Sequence, residues 1–473
     1  MEVASAQFRS RSKDALLNEE LQAALQKARG GFVDKRKTAV DDLTDFDHLR
    51  DRAVAIKNQV LTNLDRYLEQ YENNVIDAGG HVHWASTPQQ AVEIILDICR
   101  GVDARCVTKG KSMIGEEMSL NDALEEQGIE VVETDLGEYI IQLAKERPSH
   151  IIAPAIHKTR NQITELFHEH HAKYGLTQKV EEVATIVNEA RTVLREQFVK
   201  ADVGITGANF LLADSGCSVL VTNEGNGDLT STLPKVHIVT ASIEKLIPSI
   251  DDLSVFLRIL ARSATGQEMS SYTSIYGGSA SAEGMDETRQ YHVVMLDNGR
   301  SKMLEGEFWE MLRCIRCGAC MNHCPVYQSI GGHAYGWVYP GPMGSVWTPL
   351  LVGLQNAANL PNACTLNGRC EEVCPVRIPL PKLLRSLRNQ IFERGLIDWK
   401  SRLGLWTWKM LTLHPPIYRL VMNSTSFALG WMGRRSGSIR RLPFGGGWTQ
   451  GRDFPASTGG GTFVSQWKSR SSD

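Results

Sequence analysis

The sequence predicts an α/β domain followed by a helical, cysteine-rich domain, and three observations support this prediction. Between roughly residues 51 and 300, short β-branched runs alternate with helical segments, as in a mainly parallel sheet. Seven of the ten cysteines lie between positions 314 and 374. The last part of the chain, 396–473, is basic and carries tryptophan and glycine. It has little periodicity after Trp431, and its glycine-rich stretch 445–463 predicts an irregular C-terminal tail. The expected organisation is a helical extension (1–50), an α/β domain (51–300), a cysteine domain (301–395) and this tail (396–473).

Composition and charge narrow the class of protein. The 473 residues are 42% hydrophobic and 22% charged, which is typical of a soluble globular protein with two or three domains. The first twenty residues have no apolar signal-like run, and we find no stretch of roughly 20 uninterrupted apolar residues. We therefore expect a cytoplasmic protein. The net charge of −3 is uneven: 400–473 holds 11 Lys and Arg against two acids, so a negatively charged contact for the tail is expected.

The elements follow from local patterns along the chain. In 16–32, Leu17, Leu21 and Leu25 recur at helical spacing, and 47–79 predicts one long amphipathic helix ending at a glycine pair. Runs rich in β-branched residues then predict strands within 81–85, 104–110, 130–135, 150–156, 203–213, 217–225 and 235–241. The stretches 87–101 and 120–128 predict intervening helices, 305–317 a helix before the cysteines, and 375–395 a helix after them.

The first cysteine loop predicts iron–sulfur chemistry. Cys314, Cys317, Cys320 and Cys324 follow the pattern C-x2-C-x2-C-x3-C-P. Three thiolates at two-residue spacing reach three corners of a cubane cluster, and the fourth, fixed by a proline, serves a second cluster. A structural zinc site would use four ligands in two pairs and does not explain this run. Such a module indicates electron transfer without naming the donor or the acceptor.

The second loop repeats the pattern with one cysteine missing. Cys364, Cys370 and Cys374 are present, and Asn367 occupies the remaining position. Ligand exchange between the loops assigns one 4Fe–4S cluster to Cys314, Cys317, Cys320 and Cys374, and a second cluster to Cys324, Cys364 and Cys370. The second cluster is then 3Fe–4S, or 4Fe–4S with one open iron, or 4Fe–4S closed by a remote thiol. The candidates for that remote thiol are Cys99, Cys106 and Cys217, which stand in contexts typical of buried structural thiols.

A candidate anion site lies in the α/β domain. Polar residues follow predicted strands there, and ligands gather at the carboxyl ends of strands in open α/β sheets. Basic groups among them suit a carboxylate or phosphate, although the spacing alone favours solvated surface charge and turn chemistry. No dinucleotide or P-loop motif is present. The candidate residues are Lys111, His157, Lys158, Arg160, Asn209 and Glu224.

Several motifs together resemble a known family. The stretches MIGEEMSLN, IIAPAIHKTR, GITGANFLLADSG, VTNEGN and LRCIRCGACMNHCPVYQSIGGHAYGWVYPGPMG are similar to the iron–sulfur subunit, or B component, of L-lactate utilization complexes. The resemblance covers nearly the whole chain. It implies a lactate-utilization domain, with a fold similar to CoA-transferase and ribose-phosphate-isomerase domains, followed by a dicluster ferredoxin. It also implies cluster ligands on both loops and a cysteine at the position of Asn367, where this sequence departs.

The resemblance implies a role in oxidising L-lactate to pyruvate with two partners, a cysteine-rich-domain subunit and a second subunit with a lactate-utilization domain. No flavin or nicotinamide motif supplies a hydride acceptor, so we expect an electron-transfer subunit rather than a complete enzyme. The alternatives are a hydro-lyase-type catalyst on an open iron and a redox sensor with a labile cluster. The tail suggests peripheral contact with the inner face of a membrane, or packing on the acidic body or a partner. Nucleic acid is not expected.

Overall fold

The computed structural model describes residues 3–278, 289–443, 445–449, 451–457 and 461–470. The chain forms two compact units, 1–391 and 392–473. The first unit opens with four helices: α1 (Phe8–Leu17), α2 (Glu19–Asp41), α3 (Phe46–Thr62) and α4 (Leu64–Asp77). Asn18 separates α1 from α2, and its side chain accepts a hydrogen bond from the backbone N–H of Leu21 at 3.0 Å, as is typical of a helix N-cap.

A six-stranded sheet forms the centre of the α/β domain, and all its strands are parallel. Its strand order is β1-β10-β7-β4-β2-β3. These strands are β1 (His81–Ala85), β2 (Cys106–Gly110), β3 (Glu130–Glu133), β4 (Val203–Gly207), β7 (Val236–Ser242) and β10 (Gln290–Leu296). A smaller sheet, ordered β8-β5-β6-β9, contains β5 (Phe210–Leu212), β6 (Cys217–Thr222), β8 (Leu246–Ile247) and β9 (Tyr272–Tyr276).

Helices cover both faces of the large sheet. In addition to α3 and α4, the helices of this domain are α5 (Pro88–Gly101), α6 (Met113–Met118), α7 (Leu120–Glu126), α8 (Leu136–Leu143), α9 (Arg160–His171), α10 (Val183–Lys200), α11 (Asn226–Thr232) and α12 (Ile250–Thr265). Strand residues alternate between two hydrophobic cores, as the two-residue period of a strand requires. Ile238 and Val294 pack in the core with α5, whereas Val239 and Val293 pack in the core with α3 and α4. Burial of both faces explains why β7 is apolar along most of its length.

Three of the predicted elements differ in the structure. The run 150–156 was expected to be a strand but forms bends and turns. The reason is local: His150 Nδ1 accepts from the N–H groups of Ile152 and Ala153 at 3.0 and 3.2 Å, and Ser149 N–H donates to the Pro154 carbonyl at 3.1 Å. These bonds satisfy the backbone without a neighbouring strand. The prediction that His157, Lys158 and Arg160 follow a strand is therefore wrong.

The expected long helix over 47–79 breaks at Asn63, which leaves helical geometry at φ −126°. Its side-chain amide donates to the Gln59 carbonyl at 2.9 Å, so a side-chain bond replaces the continuing ladder. The expected helix over 305–317 is reduced to a 3-10 turn at Trp309–Arg313, because the chain becomes extended at Cys314. This 3-10 turn comes after the short helix α13 (Arg300–Leu304) in the chain.

Short helices form the cysteine segment. They are α14 (Ala319–Asn322), α15 (Pro325–Ile330), α16 (Gly341–Val352), α17 (Arg369–Glu372) and α18 (Leu380–Glu393). The predicted helix after the second loop is confirmed as α18, whose buried side chains include Leu383, Leu384 and Leu387.

The second unit is helical before it is irregular. It contains α19 (Trp399–Thr412), α20 (Pro415–Met432), β11 (Ser438–Ile439), α21 (Gly446–Thr449), β12 (Phe454–Pro455) and α22 (Phe463–Arg470). The irregular chain expected from the glycine-rich sequence is thus confined to the part after Met432. Across the described residues, the helices are all too short or too polar to cross a bilayer.

Candidate functional site

The first cysteine loop is a tight turn that leads into two short helices. Arg316 and Gly318 adopt positive φ angles of 59° and 74°, and α14 begins directly after Gly318. A side chain at Gly318 would also place its Cβ 2.9 Å from Ile152 Cδ1. Glycine is therefore required there by backbone conformation and by close approach. Cys324 then precedes Pro325, which begins α15.

The second loop has the same backbone conformation 50 residues later. Leu366 and Gly368 adopt φ angles of 55° and 82°, matching Arg316 and Gly318. The helix α17 begins after Gly368, as α14 does after Gly318. The last cysteine of each loop donates its N–H three residues back, Cys324 to Met321 and Cys374 to Glu371, at 3.0 and 3.1 Å. The loops are a structural repeat, and Asn367 does not disturb it.

Four of the thiols form one group. Cys314, Cys317, Cys320 and Cys374 line a single small cavity, together with Met343. Burial raises the pKa of the Cys317 thiol, and Cys374 and Cys314 raise it further. Burial likewise raises the pKa of Cys320, with added repulsion from Cys317, Cys314 and Cys374. Mutual repulsion of this kind requires the sulfurs to lie close together.

The other three loop thiols form a second group. Burial raises the pKa of Cys370 to about 12, and its next-largest perturbing neighbours are Cys364 and Cys324. Burial also raises the pKa of Cys324, with a contribution from Cys364. The structure therefore brings together the two sets that ligand exchange between the loops predicts. The two groups are neighbours, because Cys370 of the second group also raises the pKa of Cys320 in the first.

The remote cysteines belong to the α/β domain. Cys99 packs in the core with α5, where burial raises its pKa to about 12. Cys106 begins β2, and burial raises its pKa to about 11. Cys217 begins β6, where it contributes to the raised pKa values of Tyr71 and Tyr291.

Asn367 faces solvent at the position of the missing cysteine. Its side-chain oxygen accepts from the backbone N–H of Arg369 at 3.2 Å, which is a local turn contact. Beside it, the Sγ of Cys364 accepts from the N–H of Leu366 at 3.2 Å. The amide of Asn367 is thus used by the backbone, and a hard oxygen or amide nitrogen is a poor ligand for iron–sulfur clusters.

The donor set fits iron–sulfur ligation. None of the seven loop cysteines is in a disulfide, and the first group supplies the four thiols that one 4Fe–4S cluster requires. The second group supplies three. Bare thiols with raised pKa values hold their protons, so binding of iron would have to release them. A cluster bound here would supply a one-electron carrier.

A buried charge network joins the first loop to the α/β domain. Arg316, between Cys314 and Cys317, donates to Glu244 at 2.7 Å and to the Tyr339 hydroxyl at 2.8 Å. Glu244 also lies 3.1 Å from Arg300 Nε, close enough for an ion pair although not aligned as a hydrogen bond. Arg300 is paired with the buried Glu117 at 2.7 Å. The guanidinium of Arg316 also lies over the Tyr339 and Trp347 rings, 4.7 and 4.9 Å from their centroids.

Two further arginines hold the second loop. Arg36 donates to the Val373 carbonyl at 3.0 Å, and Arg50 donates to the Cys374 carbonyl at 2.8 Å. On the other loop, His150 and Asn322 form a hydrogen bond of 2.9 Å. Contacts from distant parts of the chain therefore fix both loops.

The candidate anion residues do not form one site. Lys111 and Asn209 line a common cavity beside Cys317. Burial opposes the charge of Lys111, but Asp135, Glu138 and Glu224 outweigh it and raise its pKa. His157 and Lys158 instead contact Glu146, at 2.7 and 2.5 Å.

Arg160 begins α9 and lines a different groove, with Phe32 and Lys35 of α2. His157 is also in ring contact with His333, 4.4 Å between centroids.

Sequence reasoning missed Lys245, Glu244 and Arg316. Lys245 and Arg316 line the same cavity as Lys111. Burial lowers the pKa of Lys245 to about 7, helped by Arg316. The available signal was the position of Lys245 shortly after the apolar strand β7, at the carboxyl edge of the sheet. Arg316 lies inside the cysteine motif, whose pattern identifies the thiols and gives no role to the residues between them.

Comparison with known proteins agrees with this architecture. Residues 68–296 match the model of the LUD domain, and residues 310–378 match that of the 4Fe-4S dicluster domain. The chain is 40% identical to the electron transport protein YkgF of Escherichia coli K12, over 97% of this chain and 96% of that protein. It is 41% identical to lactate utilization protein B of Bacillus licheniformis and to that of Lysinibacillus sphaericus, in both cases over 96% of this chain and 95% of the relative.

A solved structure of a DUF162 family protein from Deinococcus radiodurans aligns with a TM-score of 0.28 and 12% identity, over 49% of this chain and 98% of that one. That similarity is too low to define a shared fold. The identity to the curated relatives extends through both domains and nearly to both ends of the chain. Together with the LUD domain, the paired cysteine loops and the dicluster match, it shows that the chain belongs to the lactate utilization protein B family.

Proposed function

We propose that this protein is the iron–sulfur electron-transfer subunit of a complex that oxidises L-lactate to pyruvate. The observation that carries the proposal is the grouping of seven free thiols into a set of four and a set of three on a repeated loop. In this proposal Cys314, Cys317, Cys320 and Cys374 hold a 4Fe–4S cluster. Cys324, Cys364 and Cys370 hold a second cluster, either 4Fe–4S or 3Fe–4S, with Asn367 at the missing ligand.

The surroundings of the two loops suit a short electron path. The first loop is joined to the α/β domain through Arg316 and His150, so its cluster would lie against that domain. The second loop exposes Thr365, Leu366 and Asn367, so its cluster would lie nearer the surface. We infer that electrons enter at the first cluster and leave from the second.

The proposed partners are a cysteine-rich-domain subunit and a second subunit with a lactate-utilization domain, since the name of the relatives implies a multi-subunit system. The C-terminal unit offers a further surface, which we propose contacts the inner face of a membrane. Trp399, Trp406, Trp408 and Trp431 are between 52% and 70% exposed on α19 and α20. Lys400 and Lys409 lie among them, and exposed tryptophan with basic residues suits an anionic lipid surface.

The test is anaerobic counting of iron and sulfide, with EPR of the isolated protein. About eight irons per chain, silent until reduced, indicate two 4Fe–4S clusters. About seven irons with a three-iron signal in the oxidised state indicate that Asn367 leaves a vacant corner. Less than one iron per chain after anaerobic reconstitution would refute the proposed function.

A further inference from the structure

A cavity lies at the carboxyl edge of the large sheet, between the α/β domain and the first cysteine loop. Its volume is about 120 Å³. Its walls include Lys111 after β2, Asn209 after β4 and Lys245 after β7, together with Arg316 and Cys317. Ile152, Leu220 and Leu260 make the rest of the wall apolar. Polar groups converging in an apolar cleft at this edge are typical of a ligand site in α/β proteins.

Among the described cations that line the cavity, Lys245 has no anionic partner. Lys111 pairs with Asp135 at 3.2 Å, and Arg316 pairs with Glu244. Glu244 and Glu117 between them balance Arg316 and Arg300. Lys245 is only 8% exposed, and its ammonium group forms no ion pair or hydrogen bond with the described residues. A buried ammonium without an anion is costly and favours an anionic ligand.

Hydrogen-bond donors lie in the same cavity. The Asn209 side-chain oxygen accepts from Val221 N–H at 2.9 Å, while its NH₂ group donates to no acceptor in the described chain. The Nε of Arg316 is buried and also lacks an acceptor there. Ser112 and Thr240 hydroxyls, 2.6 Å apart, stand at the cavity wall. The Arg316 Nε is thus a buried donor without an acceptor in the described chain, and the half-buried Asn209 amide is a second donor free to bind. A ligand in the cavity would supply the acceptors.

We propose that this cavity binds a small organic monocarboxylate with a hydroxyl or keto group on the adjacent carbon, its carboxylate on Lys245 and its second oxygen near the Asn209 amide. Lys111 and Arg316 already have carboxylate partners, so Lys245 is left to meet the ligand, which favours a monoanion over a phosphate dianion. Only the choice of a 2-hydroxy or 2-oxo acid rests on the proposed function; the anion site itself rests on Lys245 and the cavity. Because Cys317 lines the same cavity, the ligand lies against the first cysteine group.

A competing explanation is that Lys245 balances the negative thiolates of the first group, since Cys314 is among its charged neighbours. The two explanations differ in what a neutral side chain does. Lys245→Met removes the charge but keeps a similar length. If Lys245 compensates the charge of the thiolates, the variant changes the iron content and leaves ligand binding intact. If Lys245 instead binds a ligand, the variant loses carboxylate binding and keeps its iron content.

The experiment is equilibrium dialysis of the anaerobically purified full chain against radiolabelled L-lactate and pyruvate, with acetate and inorganic phosphate as comparison anions. We expect one molecule of lactate or pyruvate per chain, with acetate and phosphate weaker. Lys245→Met is expected to weaken binding about 10- to 100-fold, as loss of a charge-assisted hydrogen bond predicts. Lys37→Met, on an exposed lysine of α2, is the control and leaves binding unchanged.

Iron and sulfide content and urea stability are measured on the same samples. Removing a buried, unpaired charge is not expected to destabilise the fold, so Lys245→Met stays folded. Asn209→Ala is the second variant and is expected to weaken binding of pyruvate more than of acetate. The proposal is overturned if the wild type binds neither acid, if phosphate binds more tightly than both, or if Lys245→Met binds as the wild type does. Carboxylate binding by a chain without iron would support this site while refuting the proposed function.

Discussion

Substitution of Glu244 by Gln tests the charge network that ties the first cysteine loop to the α/β domain. Glu244 is fully buried. One carboxylate oxygen accepts from Arg316 at 2.7 Å and from Ser242 at 2.8 Å, and the other faces Arg300 at 3.1 Å. A glutamine keeps the shape and removes the charge, so two buried guanidinium groups lose their shared counter-ion.

The pKa of Glu244 sets the expected magnitude. Burial alone would raise it, but Arg300 and Arg316 outweigh burial and lower the pKa from 4.5 to about 2. At about 1.36 kcal/mol per pKa unit, this shift corresponds to roughly 3 kcal/mol of folding free energy. A depressed carboxyl pKa gives stability that is fully present above the unfolded value, near 4.5, and is lost as the pH falls toward 2. Measurement at neutral pH therefore captures all of it.

The assay is anaerobic urea unfolding of the full chain at neutral pH, with iron content followed in parallel. We expect Glu244→Gln to lower the free energy of unfolding by about 3 kcal/mol, in line with the roughly 3–5 kcal/mol cost of breaking a buried ion pair. Glu93→Gln is the control, because Glu93 and Arg100 form an exposed pair, and we expect a change within about 0.5 kcal/mol. A loss below about 1 kcal/mol for Glu244→Gln would show that the network does not stabilise the joint between loop and domain.

Three further predictions concern the loops and the tail. Cys320→Ser is expected to remove about half of the iron, because Cys320 belongs to the group of four thiols that raise one another's pKa values. Cys99→Ser, in the α5 core, is the control and is expected to leave the iron content unchanged. Equal losses of iron in the two variants would contradict the assignment of Cys320 to a cluster. Asn367→Cys is expected to abolish any three-iron EPR signal by restoring a fourth ligand; persistence of that signal would place the vacancy elsewhere. Removal of residues 396–473 is expected to abolish co-sedimentation with vesicles containing phosphatidylserine, and binding that survives the deletion would refute the membrane contact.

The sequence was most informative where a pattern is local. β-branched runs located β1, β2, β3, β4, β6 and β7, and the cysteine spacing located both loops, because short-range sterics and ligand spacing decide these features. The run 150–156 was misread because its apolar residues serve a long-range contact. Ile152 packs against Gly318 and His150 bonds to Asn322, so burial there reflects the ferredoxin-like segment and not a sheet.

The candidate site was only partly predictable for the same reason. Lys111 and Asn209 follow strands, and the rule for strand ends found both. It also selected His157, Lys158 and Arg160, which belong elsewhere once 150–156 is not a strand. Lys245 and Arg316 lie 71 residues apart in the chain, and only the fold brings them to one cavity. No local sequence pattern predicts that two such distant residues line the same cavity.

The two loops share a backbone yet differ in their surroundings, and this difference explains why one can lose a cysteine. Both need a residue with positive φ before the short helix, which Gly318 and Gly368 provide. A Cβ at Gly318 would collide with Ile152, whereas one at Gly368 would meet nothing within 4 Å. The turn of the first loop is therefore constrained by the α/β domain, whereas the turn of the second loop at 365–367 faces solvent. We therefore expect that asparagine in place of cysteine at position 367 alters only the metal coordination proposed for the second loop, because the exposed Asn367 side chain bonds to the backbone of its own loop.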